Sequence, residues 1–289
     1  MKFFNILVLC IILFTVNIHG FTENFESGVY SEVPYRIYVP ADYKDKQYPV
    51  ILYLHSAGER GSDNEYQLYG APYYLFIDGF IEKYPAIIIA PQCPVGEQWV
   101  DTDWELGDYS TDEVAETIYL RITYEILMQS VADYNADVNR IYITGISMGG
   151  YGTWDMLTRY PDTFAAGLPI SGAGDSGNAE KIKDIPIWSY HGDLDYVVPV
   201  SGMLKMSEAF DKIESHKFNL TIYEHTYHDA WTRTYRNETT WRWLFDQVKE
   251  YESPQIEPEQ YTLNYITFII IGAIAVVGII ITVIIVGKR

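Results

Sequence analysis

Residues 140–154 read RIYITGISMGGYGTW, and this stretch decides how the rest of the chain is understood. Ile141 to Thr144 are β-branched or aromatic, as in a short buried strand, and residues 145–149 fit G-x-S-x-G. The spacing predicts a strand, a sharp turn at Ser147 and a helix directly behind it. Glycine at 145 and 149 leaves room for that turn against the neighbouring strand. A helix N-terminus beneath Ser147 would offer N–H groups and a positive dipole end to an oxyanion forming beside the hydroxyl. The competing reading is an inert serine in a glycine-rich turn.

An alkyl hydroxyl is a poor nucleophile near neutral pH and needs a histidine base, itself oriented by a carboxylate. Behind an elbow of this kind the partners follow in the order Ser, Asp, His. In HGDLDYVVP (191–199), after a strand ending at Tyr190, Asp195 is the candidate acid. Asp193 competes with it, but suits a turn bonded to its own loop. His228, beyond the last strand, is the candidate base, while His225 and His216 read as structural. His225, His228 and Asp229 are also metal-ligand types. They lack the helical H-E-x-x-H setting and a second ligand cluster, so no metal is expected, and the chemistry calls for no cofactor.

Five blocks now stand in order: HSAGERG (55–61), APQCP (90–94), GISMGGYGTW (145–154), HGDLDYVVP (191–199) and HDAW (228–231). Together they resemble the α/β-hydrolase superfamily, near its dienelactone hydrolase, prolyl-oligopeptidase-like and feruloyl or polyhydroxybutyrate esterase branch. The resemblance covers essentially all of residues 21–252. It implies a mostly parallel central sheet with helices on both faces and a two-step acyl transfer. It also implies an oxyanion hole formed by the Met148 N–H and one N–H from the 55–58 loop, Ala57 first and Ser56 second. The family more often carries His-Gly-x-Gly there, so Ser56 departs from its pattern. Glu59 and Arg60 either orient substrate or pair at the surface. Small carboxylic esters are the expected substrates. An oligopeptidase-like peptidase is the alternative, although the chain has no room for a propeller domain. A catalytically silent adhesion ectodomain is the reading from another class.

Along the chain, Phe21 to Ser31 reads as a lead-in and 35–39 as a strand. Residues 50–54 are apolar in succession, which fits a strand buried on both faces of a parallel sheet. Further strands are expected at 87–90, 164–170, 186–190 and 220–223. Helices are expected at 68–82, at 112–134 with Thr111 or Asp112 as cap, at 203–213 and at 239–251. The irregular, acidic segment 96–113 carries Trp99 and Trp104. As a lid it would repel anions and stack sugars or aromatic acyl groups on these rings. Otherwise it is an exposed loop with its tryptophans tucked against the core.

The ends and the composition place the domain. Lys2, the uncharged run 3–18 and Gly20 predict a signal peptide over 1–20, with an uncleaved anchor as the rival. Residues 253–264 read as a linker. The uncharged run 265–286 would span ~33 Å as a helix, enough for a hydrocarbon core of ~30 Å. Lys288 and Arg289, in the 287–289 tail, put the C-terminus in the cytosol and the hydrolase domain in an extracellular or lumenal space. A GPI signal is the rival for this segment. With 39 acidic against 20 basic residues the net charge is −19, which excludes nucleic acid and anionic lipid surfaces as partners. Cys10 leaves with the signal, so Cys93 reads as a buried apolar residue rather than an intermolecular thiol. Asn219 and Asn237 head glycosylation sequons. Oligomeric state is not legible.

Overall fold

The structure, a computed structural model, describes residues 20–249. The expected linker, membrane span and tail lie outside those residues, as does the signal peptide apart from Gly20. Among the described residues no helix is long and apolar enough to cross a membrane.

The described strands are β1 (Glu26–Tyr30), β2 (Val33–Tyr38), β3 (Val50–Leu54), β4 (Ile87–Pro91), β5 (Ile141–Ile146), β6 (Ala166–Ile170), β7 (Ile187–Gly192) and β8 (Phe218–Tyr223). They form one sheet in the order β1-β2-β4-β3-β5-β6-β7-β8. β1 and β2 pair antiparallel, as do β2 and β4, and every pairing from β4 to β8 is parallel. Every residue of β3 to β6 is buried, which explains their uninterrupted apolar runs. The strand period of two then divides them between two cores. Val50, Leu52, Leu54, Ile141 and Ile143 pack with Leu127 of α3 (Ile118–Asp133) and with Trp154 and Leu157 of α4 (Met148–Arg159). Ile51, Tyr53, Ile88 and Tyr142 pack on the other face, with Leu75 of α1 (Ala71–Ile77) and with Trp241 and Leu244 of α7 (Glu238–Phe245). Each such side chain contributes about 1.5–3 kcal/mol by leaving water.

Several element boundaries differ from expectation. The lead-in is in fact β1, an exposed edge strand closed onto β2 by Ser31 and Glu32 in the left-handed region, at φ 46° and 69°. Neither residue is a usual left-handed turn former, so the hairpin left no signature. The helix expected over 68–82 breaks at Gly79, φ 71°, into α1 and α2 (Phe80–Lys83). α3 starts at Ile118, because the Thr117 hydroxyl accepts from the Leu120 N–H and caps it there, not at Thr111 or Asp112. α5 (Ser201–Lys212) lies close to its expected place, and a short α6 (Trp231–Tyr235) precedes α7.

Chain order on the sheet sets the geometry that follows. The carboxyl ends of β3, β5, β7 and β8 meet along one edge and lead into residues 55–61, Ser147, 193–198 and 224–228.

Candidate active site

Ser147 occupies the turn between β5 and α4 with φ 54° and ψ −117°. Such backbone costs about 1–3 kcal/mol in a non-glycine residue and persists only where its surroundings hold it. Here the Ser147 N–H donates to Ile170 O at 2.9 Å. A Cβ on Gly145 would lie 2.2 Å from Gly149 O, and one on Gly149 would lie 2.0 Å from Leu54 O. Both positions therefore require glycine by contact. The elbow leaves the Ser147 side chain partly exposed.

The 228 loop reaches back across β7 and β6 to the serine. Ser171, just past β6, donates its hydroxyl to His228 O at 2.9 Å and fixes that reach. The His228 ring then lies with Nδ1 2.7 Å from Asp195 Oδ2 and Nε2 2.8 Å from Ser147 Oγ. A carboxylate accepts only, so Nδ1 carries the proton and Nε2 faces the serine hydroxyl as an acceptor. The Trp231 ring meets His228 edge-on at 5.2 Å.

Asp195 Oδ1 accepts from the N–H groups of Val197 and Val198, each at 2.9 Å. Burial alone would lift this carboxyl. Hydrogen bonds from His191, His228 and the Val198 N–H outweigh it and hold Asp195 well below the usual carboxylate range. Asp193 is exposed and bonds the neighbouring loop rather than its own, accepting from the Thr226 N–H at 3.0 Å. His225 and His216 are exposed, and Asp229 accepts from the N–H and hydroxyl of Thr232.

At the end of β3, His55 is fully buried. Its Nδ1–H donates to Ser56 O at 2.6 Å and its Nε2 accepts from the Cys93 N–H at 2.9 Å. Burial pulls His55 down to about 4, so it is neutral near pH 7. Glu59 Oε2 accepts from both the Ser56 N–H (3.0 Å) and the Ser56 hydroxyl (2.6 Å). That commits the Ser56 N–H, whereas the Ala57 N–H has no partner among the described residues. Met148 opens α4 directly behind Ser147, where a helix leaves its first N–H groups unbonded. Arg60 donates to Ala57 O at 2.9 Å and to Glu97 O at 3.2 Å. Glu59 and Arg60 thus brace the loop separately. Glu59, expected to touch substrate, has its carboxylate turned onto Ser56 instead.

Trp99 requires the clearest correction. Expected to stack on substrate, it is fully buried beneath the 55–61 loop, its indole N–H donating to His55 O at 3.0 Å and its ring edge-on to His55. A large ring with a single polar group gains more from a dry site that satisfies that group. Trp104 is half-buried and lines an open depression with Arg60, Gln98 and Asp103. The Tyr151 hydroxyl, one turn beyond Ser147, donates to Trp104 O at 3.0 Å. Sequence reasoning passed over Tyr196 and Tyr227, which are 79% and 60% exposed with ring centroids 6.0 Å apart. Their adjacency to Asp195 and His228 was the available signal. Cys93 is buried without a disulfide partner among the described residues, and burial pushes its thiol up to about 12.

Residues 39–238 match the family described as Phospholipase/Carboxylesterase. Acetylxylan esterase A of Emericella nidulans is 29% identical over 142 residues, covering 49% of this chain and 43% of that protein. A bifunctional acetylxylan esterase/xylanase of Neocallimastix patriciarum is 28% identical over 175 residues, covering 58% of this chain and 23% of that protein. The chain thus spans less than half the length of these curated relatives. The crystal structure of a thermostable esterase aligns at 34% identity with a TM-score of 0.71, over 79% of this chain and 64% of that one. An acetyl xylan esterase from Aspergillus awamori shares the fold at 15% identity and a TM-score of 0.57, over 75% of this chain and 98% of that one.

Proposed function

The chain belongs to the phospholipase/carboxylesterase family of α/β-hydrolases, and from that footing we propose that it is a serine esterase releasing small acyl groups from carbohydrate esters. The observation that carries this reading is His228 bridging Ser147 Oγ at 2.8 Å and Asp195 Oδ2 at 2.7 Å. In the proposed reaction Ser147 Oγ attacks the ester carbonyl while His228 Nε2 takes its proton. Negative charge grows on the carbonyl oxygen, where the N–H groups of Met148 and Ala57 receive it. The alcohol leaves with the proton from His228, and water, activated by the same nitrogen, frees the acid from Ser147. Asp195 stays ionised throughout and stabilises the imidazolium.

The names of the curated relatives point to acetylated xylan as the substrate class. Two features of the rim suit a sugar bearing the ester: the exposed faces of Tyr196 and Tyr227, and the half-buried Trp104. The acidic 96–113 segment disfavours anionic acyl groups. We further propose a type I membrane protein with this domain outside the cytosol, on the strength of the apolar runs 3–18 and 265–286. The sequon residues Asn219 and Asn237 are exposed, as glycosylation requires.

A fluorophosphonate probe and an acetate-release assay on acetylated xylo-oligosaccharides test the reading together. The expected result is labelling at residue 147, with Ser147→Ala losing labelling and on the order of 10⁶-fold in hydrolysis. Wild-type protein inert to both would leave a silent hydrolase fold.

A further inference from the structure

His191 is fully buried at the end of β7, and the mechanism above gives it no task. Its Nε2 lies 2.9 Å from Val198 O and 3.2 Å from Asp195 Oδ2. Both neighbours are acceptors, so the proton sits on Nε2 and is shared between them. Nδ1 is buried with no hydrogen-bond partner among the described residues, and an apolar side chain would avoid that cost. The cost goes with the carboxylate that Nε2 faces.

Resting on the serine-esterase reading, the geometry points to His191 as a positioning residue for acyl transfer, holding from behind the Asp195 oxygen that orients His228. With it, Asp195 has four donors: two backbone N–H groups on Oδ1, and His228 and His191 on Oδ2. The same Nε2–H closes the 195–198 turn through Val198 O, and that turn supplies the two backbone donors. A carboxylate so fully bonded has little proton affinity left. It steadies the imidazolium of His228 without drawing off the Nδ1 proton, and it cannot swing out of line with the ring. The titratable groups facing Asp195 are His191, His228 and, from α4, Tyr151, whose phenol is pushed up by burial and stays neutral.

The test uses the full chain with His191→Leu and His191→Met, which fill the site without a donor, and His191→Gln, whose amide nitrogen can reach the place of Nε2. Turnover is measured per fluorophosphonate-titrated site, across pH. With one donor removed, Asp195 becomes more basic and favours the imidazolium of His228. The acid limb of kcat/KM then moves up by about half a pH unit, and the plateau kcat falls about tenfold with little change in KM. The downfield proton resonance of His228 Nδ1 should shift in both donor-less variants, and His191→Gln should return all three readouts to near wild type. A lower Tm with an unmoved pH profile and resonance would overturn the proposal. So would equal behaviour of Gln and Leu, or a failure of both donor-less variants to fold while His191→Gln folds normally. Wild-type protein with no titratable site would instead sink the esterase reading itself.

Discussion

Ser56 gives its backbone N–H to the Glu59 carboxylate, 3.0 Å away, and in doing so leaves Ala57 as the donor beside it without a partner among the described residues. The pair is a capping box on a single short turn, Ala57–Glu59. Its strength is modest, but its position is consequential, because the Ala57 N–H beside it is the one proposed to meet the oxyanion.

Glu59→Ala should therefore act on kcat rather than KM. Losing an oxyanion donor outright costs about 10²–10³-fold in other hydrolases, and loosening one should cost about tenfold. Glu59→Gln can still accept from Ser56 and should retain most activity. Steady-state kinetics on a small activated ester would show this, and an unchanged kcat in Glu59→Ala would exclude the loop from the oxyanion site.

The two aspartates two residues apart should separate cleanly. Asp195→Asn leaves the nucleophile in place but disturbs the tautomer of His228, and should lower kcat by about 10⁴-fold. Asp193→Asn only weakens an exposed tie to the Thr226 N–H, with a small loss of stability and turnover within a few-fold of wild type. Kinetics paired with urea denaturation distinguishes the effects; the reverse ranking would move the acid to Asp193.

Ser147, Asp195 and His228, which the fold brings within hydrogen-bonding distance, were legible because a local rule marks each one. G-x-S-x-G encodes a contact between backbones, and HGDLDYVVP and HDAW follow short segments, 186–190 and 220–223, whose β-branched and aromatic residues predict strands. Trp99 had no such rule. Its ring could stack on substrate or tuck against the core, and the indole N–H on His55 O decides for the core. Ser171 and His191 went unseen for a related reason. Neither is marked by a local rule: Ser171 meets the His228 loop from two strands away, and His191, four residues before Asp195, faces that carboxylate only because the chain turns back beyond Gly192. β1 escaped because an edge strand needs no apolar pattern and its hairpin uses neither glycine nor asparagine.

Acid should weaken the fold first at the 55–61 loop. His55 titrates at about 4 when folded, against 6.5 as its ordinary value. The unfolded chain therefore takes up a proton there that the folded chain refuses. The stabilisation from a neutral His55 is complete above pH ~6.5 and is lost as pH falls toward ~4, by about 3 kcal/mol at most. Asp195 adds a further loss below the ordinary carboxylate range. Denaturant midpoints at pH 7 and pH 4.5 should differ accordingly, and the difference should shrink in a His55→Gln variant that still folds. A midpoint independent of pH across that window would contradict a neutral, buried His55.

Aromatic residues around the site should divide by burial rather than by proximity to Ser147. Trp99→Ala empties a fully buried site and orphans His55 O, so it should cost about 3–5 kcal/mol of stability and lower hydrolysis of every ester alike. Tyr196 and Tyr227 are 79% and 60% exposed and hold no part of the core. Replacing both by alanine should leave Tm and turnover of a small activated ester unchanged. On acetylated xylo-oligosaccharides kcat/KM should fall about tenfold, because each ring lost from a stacking contact is worth about 0.5–1.5 kcal/mol. Equal loss on both substrates, or on neither, would remove the two tyrosines from the proposed sugar-binding surface and leave Trp104 to be tested alone.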